Sequence, residues 1–272
     1  MYLCDTHTHT QISFDSEALL CDMAESAIRT GLSELCITDH CDLLDADGNL
    51  DDRFDWPGSK AQFHEVLPQV EGRLTLRLGI ELGSLSFRPD LARRILAEGG
   101  SEVDFVLGSI HNWIGVRDNH DLYYTNYTDA PELCRAAMEN ALESTWDMVA
   151  NYPDCYDSLA HIIYPLRYMH RDGNDVDILP RYRDRLAEIL RTVIQTGHSI
   201  EVNTCRGQTV EDWRDILLLY RDLGGTLVTT GSDAHWPGGV GKGVSEAIAL
   251  LQACGFDRQT VYRRRQPNLI KF

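Results

Sequence analysis

The chain has 272 residues, with 25 Lys and Arg against 42 Asp and Glu and a formal net charge of -17. That balance argues against a nucleic-acid interface, because a phosphate backbone demands a basic face. It leaves room for a small anionic substrate, since bound cations invert the local field inside an acidic protein. The first thirty residues contain no basic segment leading into an apolar core and no long uncharged apolar run. No signal peptide or membrane span is therefore expected, and a cytoplasmic location follows. Eight scattered cysteines without a CxxC pair read as reduced thiols, buried as small hydrophobes. The length suits one domain over residues 1–272, as α/β barrels of roughly 200 to 250 residues commonly form one unit. Oligomeric state has no sequence correlate here.

In chain order, short runs rich in Val, Ile and Leu alternate with longer amphipathic stretches, the pattern of βαβ units and a parallel sheet. Strands are expected at 1–5, 34–38, 74–81, 103–110, 157–160, 199–203 and 226–231. Helices are expected at 17–30, 59–71, 89–98, 131–150, 180–196, 210–223 and 241–253. Seven strand-then-helix units predict a barrel one unit short of eight, with a doubly wound open sheet as the alternative. The long connections 41–58 and 112–130, rich in Asp, Asn, Gly and aromatics, are candidate functional lids. The basic run Arg263-Arg264-Arg265 reads as a solvated face.

Six of the seven expected strands have His, Asp or Glu at or just past their C-terminal end. Strand one leads to His7 and His9, strand two to Asp39 and His40, and strand three ends in Glu81. Strands four and five lead to His111 and His161, and strand seven to Asp233 and His235. In parallel α/β folds active sites form at that end, so these residues converge. Residues two apart on extended chain share a face, which lets His7 with His9, and Asp233 with His235, address one centre. The remaining histidines, His64, His120, His170 and His198, lie outside the pattern and read as surface residues. Mixed imidazole and carboxylate donors suit Zn, Mn or Fe, and their number exceeds a single four-ligand site. Two or more such ions favour hydrolysis.

The motifs DTHTHT, ITDH, GIELG, GSIHNW, LAHI and GSDAH, in this order, resemble those of the polymerase and histidinol phosphatase (PHP) family over nearly the whole chain. The resemblance implies a distorted (β/α)7 TIM-like barrel with three divalent transition metal ions at the C-terminal ends of the strands. It assigns His7, His9, Glu81 and Asp233 to one centre, and Glu81, His111 and His161 to a second. Asp15, His40 and His235 form the third; an N-cap role before the first helix is the alternative for Asp15. The stretches HIIYPLRY and EVNTCRG are closest to the free-standing histidinol phosphatases, and they make Arg167 and Arg206 phosphate-binding arginines, with a surface ion pair as the alternative for each.

The resemblance implies hydrolysis of L-histidinol phosphate, a step of histidine biosynthesis, by a hydroxide bridging two metals. Asp233, His235, Arg167 and Arg206 form the implied catalytic set, with His235 a candidate proton donor to the leaving group. Trp113 and acids of the 41–58 loop are expected to meet the substrate's imidazole and ammonium. The alternatives are a related phosphatase acting on a sugar phosphate or nucleotide, and a noncatalytic metal-binding barrel. An amidohydrolase-like enzyme is a weaker third, because no strand ends in Lys.

Overall fold

The computed structural model describes residues 1–174, 176 and 179–272. Seven parallel staves build a nearly closed barrel. They are β1 (Cys4–Thr8), β2 (Glu34–Ile37) continued by β3 (His40–Asp42), β4 (Thr75–Gly83), β5 (Phe105–Ser109), β6 (Ser158–Leu159), β7 (Ser199–Asn203) and β8 (Val228–Gly231). Neighbours pair in chain order, with β3 on β4. An open sheet is thereby excluded, because the first stave also meets the last. His9 N–H donates to Ala234 O at 2.8 Å and Asp233 N–H to His7 O at 2.8 Å. This closure lies just beyond the strand ends, so the bonds that shut the barrel also bring the segment 233–235 against His7 and His9.

The staves are buried on both faces, hence their continuous apolar runs in place of alternation. Outside lie α1 (Leu20–Arg29), α2 (Trp56–Val70), α3 (Pro89–Gly99), α4 (Pro131–Asn151), α5 (Tyr164–Arg171), α6 (Leu179–Thr196), α7 (Arg214–Asp222) and α8 (Val244–Ala253). In α1 the buried Leu20, Met23, Ala24 and Ala27 recur at one helical face. The Asp55 carboxylate caps α2 by accepting from Gly58 N–H at 2.9 Å, which starts that helix three residues before the apolar period begins. Among the described residues no helix is long and apolar enough to cross a membrane. All eight cysteines are free, and Cys21 alone is not fully buried.

Three features depart from the expected elements. Helix α5 occupies the connection after β6, where eight residues are too few for periodicity to separate helix from loop. A hairpin of β9 (Arg258–Arg263) and β10 (Gln266–Lys271) follows the last helix. Its Tyr262 enters the bottom of the barrel, packs with Cys36, Phe105, Leu107 and Ala160, and donates its hydroxyl to Asp157 O at 2.9 Å. The basic run is accordingly not a uniformly solvated face. The Arg265 guanidinium reaches the buried Asp157 carboxylate at 3.0 Å, while Arg264 and Arg265 form the left-handed hairpin turn.

The barrel interior is thus apolar and plugged below, and charged above. Over the charged end the two long connections clasp each other. Asn112 Nδ2 donates to Asp45 O at 2.9 Å and Asp121 N–H to Ala46 O at 3.1 Å. Gly48 is required at this contact: its φ is 81°, and a Cβ there would overlap the Asp118 carbonyl.

Candidate active site

The ends of the staves surround one cavity of about 530 Å³. At its floor stands Glu81, fully buried on β4. Its Oε1 lies 2.7 Å from His161 Nε2 and 3.2 Å from His111 Nε2. Its Oε2 lies 3.2 Å from His7 Nε2, 3.1 Å from His40 Nδ1 and 3.6 Å from His9 Nε2. Asp233 faces the same rings from the far wall, its Oδ1 at 3.4 Å from His9 Nε2 and 3.6 Å from His7 Nε2. At the rim, Asp15 Oδ2 sits 3.0 Å from His235 Nε2 and 3.7 Å from His40 Nε2. Asp15 therefore turns toward the histidines, and it is not the cap of α1, whose first turn has no side-chain cap.

Nine of the ten residues singled out by their strand-end positions or by motif thus gather in one cluster, while the tenth, Asp39, turns away to accept from the Thr10 and Ser13 hydroxyls. Four triads have their donor atoms within 4.8 Å of one another: His7-His9-Asp233, His7-Glu81-His161, His40-Glu81-His111 and His9-His40-His235. The triads overlap more than three separate groups would, because Glu81 directs one oxygen to each side. The four histidines outside the pattern stay away from this cavity. His64, for instance, pairs with Glu102 at 2.9 Å on the exposed surface.

The rings are oriented from behind. His7 Nδ1 meets Glu201 Oε1 at 2.7 Å, His9 Nδ1 meets Ser13 Oγ at 3.1 Å, His111 Nδ1 meets Asp42 Oδ1 at 2.9 Å, and His235 Nδ1 meets Asp233 O at 3.1 Å. Each contact leaves Nε2 turned into the cluster, the arrangement that outer partners impose on metal-binding imidazoles. Glu201 was not anticipated from sequence, since it lies inside β7 and not at its end. Its signal was spacing: Glu201 and Asn203 share the barrel-facing side of a stave in which a charge is otherwise unexplained.

Electrostatics and satisfaction both call for cations on this floor. Burial pushes the Glu81 carboxyl up, but His7, His111 and His40 outweigh it and hold it well below the usual range. Burial and the neighbouring His235 and His40 hold His9 well below the ordinary imidazole value. Within the cluster, the buried His9 Nε2, His40 Nδ1 and His235 Nε2 make no hydrogen bond. Orphaned ring nitrogens beside carboxylates form a donor set that divalent ions satisfy, so the residues fit metal binding.

Three guanidinium groups line the cavity, those of Arg167 and Arg206 beside Asp233 and that of Arg171 farther out, over the rings of Tyr123 and Tyr168. Arg167, on α5, donates from Nη1 to Asp233 Oδ2 at 2.7 Å and leaves Nη2 without a partner. Arg206 donates to Asp233 O at 3.0 Å and lies against the Trp236 ring. Left-handed backbone at Cys205 (φ 44°) and Arg206 (φ 56°) turns the Arg206 side chain to the cavity, and that at Asp233 (φ 59°) sets its partner, a strain on the order of 1–3 kcal/mol each that the surrounding bonds hold in place. The surface ion pair considered for either arginine is thereby replaced by a cavity position.

Two substrate-contact expectations are corrected. Trp113 is 2% exposed, is packed in the core and donates Nε1 to Thr125 Oγ1 at 2.9 Å, so it does not line the cavity. Of the acids in 41–58, only Asp42 lines it, already held by His111; Asp45 instead accepts from Asp47 and Asn49 within its own loop. The wall is built from Asp121, Tyr123 and Tyr124 of the second connection, with Tyr164 and Tyr168 of α5. Sequence reasoning missed these because their side of each loop or helix is set only by the clasp between the connections.

A family model described as the PHP domain matches residues 5–205. The chain belongs to the PHP family. Asp233 and His235 lie beyond the matched range and join the PHP site through the barrel closure. The PHP chain is 27% identical over 262 residues to the histidinol-phosphatase of Lactococcus lactis, covering 93% of this chain and 91% of that protein. It is 28% identical over 266 residues to a probable histidinol-phosphatase of Clostridium acetobutylicum, covering 92% and 93%. In fold it matches the crystal structure of the L. lactis histidinol phosphate phosphatase complexed with zinc, L-histidinol and phosphate, with a TM-score of 0.80 at 24% identity over 98% of both chains.

Proposed function

We propose that this protein hydrolyses L-histidinol phosphate to L-histidinol and phosphate, using divalent cations held by His7, His9, Asp15, His40, Glu81, His111, His161, Asp233 and His235. The observation that carries the reading is the meeting of two chemistries in one cavity: an anionic floor of imidazoles and carboxylates, and two arginines directly above it. Full-length similarity to histidinol-phosphatases supports the substrate. Nine donors with Glu81 shared between sides suit three ions, and their chemistry suits Zn, Mn or Fe. In this reading residues 1–272 act as one PHP-type domain, and the reaction belongs to histidine biosynthesis in the cytoplasm.

Bound cations supply Lewis acidity to the phosphoryl oxygens and an acidified water. The chain supplies the rest. Arg167, with its free Nη2, and Arg206 bind the phosphoryl group and offset the charge that grows on its equatorial oxygens. Arg167 stays fixed because Asp233 and the Tyr164 ring hold it, so little reorganisation accompanies binding. His235 lies on the cavity wall and donates its Nδ1 proton to Asp233 O, which leaves Nε2 to hold a cation, so the proton for the departing alcohol oxygen is assigned to water in the cavity and not to His235.

The test is phosphate release by the Zn- or Mn-loaded protein from histidinol phosphate, sugar phosphates and nucleoside monophosphates. The expected result is a preference for histidinol phosphate. Turnover of none of them refutes phosphatase activity, and preference for a nucleotide or sugar phosphate refutes the substrate.

A further inference from the structure

Behind the floor lies a buried acid that the mechanism above does not use. Asp39 follows β2, is 1% exposed, and faces the loop that joins β1 to α1. Its Oδ1 accepts the Thr10 N–H at 2.5 Å and the Ser13 hydroxyl at 3.0 Å, and its Oδ2 accepts the Thr10 hydroxyl at 2.9 Å. Gln62 of α2 donates to the Thr10 hydroxyl oxygen at 2.7 Å and closes the group on its outer side.

Ser13 gives this group a direction. A hydroxyl has one proton and two lone pairs, and three polar neighbours surround the Ser13 Oγ. Asp39 Oδ1 is an acceptor, since it already takes the Thr10 N–H, so the Ser13 proton goes there. The His40 backbone N–H, 3.0 Å away, can only donate and fills one lone pair. The second lone pair faces His9 Nδ1 at 3.1 Å, and only a protonated Nδ1 satisfies it. These three bonds fix the His9 tautomer, with hydrogen on Nδ1 and a lone pair on Nε2 turned into the cluster.

The same oxygen organises one half of the floor. His9 and His40 belong to the triad His9-His40-His235, whose donor atoms lie within 4.8 Å of one another. The His9 ring stacks on His235 with centroids 4.1 Å apart, and Asp15, two residues beyond Ser13 on the same loop, meets His235 Nε2 at 3.0 Å. The other half has a different support, because Glu201 holds both His7 Nδ1 and the His161 N–H behind the triad His7-Glu81-His161. We propose that Ser13 and Asp39 form a positioning relay that sets the His9 tautomer and assembles the rim cation site of His9, His40, His235 and Asp15, separately from the half held by Glu201. The inference rests on the metal-binding part of the reading above and adds two residues that act only through the ligands.

Ser13→Ala removes the hydroxyl, whereas Asp39→Asn keeps an oxygen at the Oδ1 position and with it the direction of the Ser13 proton. In D39N the amide NH2 takes the Oδ2 place, and the Gln62 amide, whose Oε1 has no partner, can turn to accept from it. Metal-free wild type, S13A and D39N are titrated with zinc by calorimetry, and thermal melts of the same samples report the fold. In S13A one class of sites weakens about 10- to 100-fold while the rest stay within about threefold, and D39N stays within about threefold at every class. Nitrogen-15 NMR of the metal-free proteins, with the His9 signals assigned by their loss in His9→Gln, finds the Nδ1–H ring in wild type and D39N and a mixture with the Nε2–H ring in S13A. Zinc affinities of S13A all within about threefold of wild type overturn the relay, and so does an equal weakening of every class, the mark of a loosened fold. A loss in D39N as large as that in S13A overturns the direction assigned to the Ser13 hydroxyl. Failure of the wild type to bind zinc overturns the metal reading instead, and the NMR still decides the relay, which an Nε2–H ring on wild-type His9 refutes.

Discussion

Replacing Glu201 by Gln removes a charge but almost no volume, and the structure specifies why the amide cannot substitute. Glu201 is fully buried and accepts on both oxygens: from His7 Nδ1 at 2.7 Å on Oε1, and from His161 N–H at 3.0 Å and Asn203 Nδ2 at 3.3 Å on Oε2. A carboxylate accepts at both positions, whereas an amide accepts at one and donates at the other. If the Gln oxygen faces His7, its NH2 confronts the His161 N–H, leaving a buried donor unmet at a cost of about 1–3 kcal/mol. If it flips, the NH2 faces His7 Nδ1 and the ring proton must move to Nε2, the nitrogen aimed at Glu81 and the cation floor. Either arrangement loosens or blocks a donor, so E201Q should bind Zn or Mn about 10- to 100-fold more weakly, the usual effect of losing an outer partner. Calorimetric titration of the metal-free protein measures this directly, with a thermal melt reporting folding. Metal affinity within twofold of wild type would refute the argument that Glu201 sets the His7 tautomer.

Arg167→Lys should lower kcat/KM by about 10- to 100-fold with metal affinity little changed, because a point charge cannot hold Asp233 and a phosphoryl oxygen together; equal rates for both proteins would remove the arginine from the mechanism. Trp113→Phe should leave KM within about twofold and destabilise the fold by roughly 1 kcal/mol, since the indole is buried and donates to Thr125; a large KM change in steady-state kinetics would restore it to the substrate wall. Burial pushes the Asp157 carboxyl up to about 7 despite Arg265 and the Val106 N–H. A raised acid favours the fold below the unfolded carboxylate value and loses that contribution as pH rises through 7, so Arg265→Gln, which raises it further, should cost about 1–2 kcal/mol at pH 8 and less at pH 5 by denaturant melts. An equal loss at both pH values would count against a buried ionised pair.

What could be read from the sequence follows from how each residue is placed. The donors at strand ends were legible because a parallel barrel delivers every strand end to one rim, so position along the chain already implied position in space. Glu201 escaped because it acts from within a strand, where only period-two spacing and an unexplained buried charge betray it. Helix α5 and the β9–β10 hairpin escaped for a different reason, being elements whose partners are tertiary: the hairpin exists to seat Tyr262 under the barrel and to give Asp157 a counter-ion.

The substrate end was the least legible, and the physical reason is specific. Floor residues are set by backbone pairing, which sequence pattern encodes, whereas Asp121 and Tyr123 face the cavity because loop 112–130 is tied to loop 41–58 through Asn112, Asp121 N–H and the glycine at 48. Those ties join two irregular segments with no periodicity to reveal which side faces inward. The same clasp buries Trp113, the aromatic residue nearest the GSIH motif, and turns more distant tyrosines toward the cavity. In the phosphatase reading, changes at Gly48 or Asn112, remote from the phosphorus, should therefore alter the choice of leaving group more than the metal chemistry below.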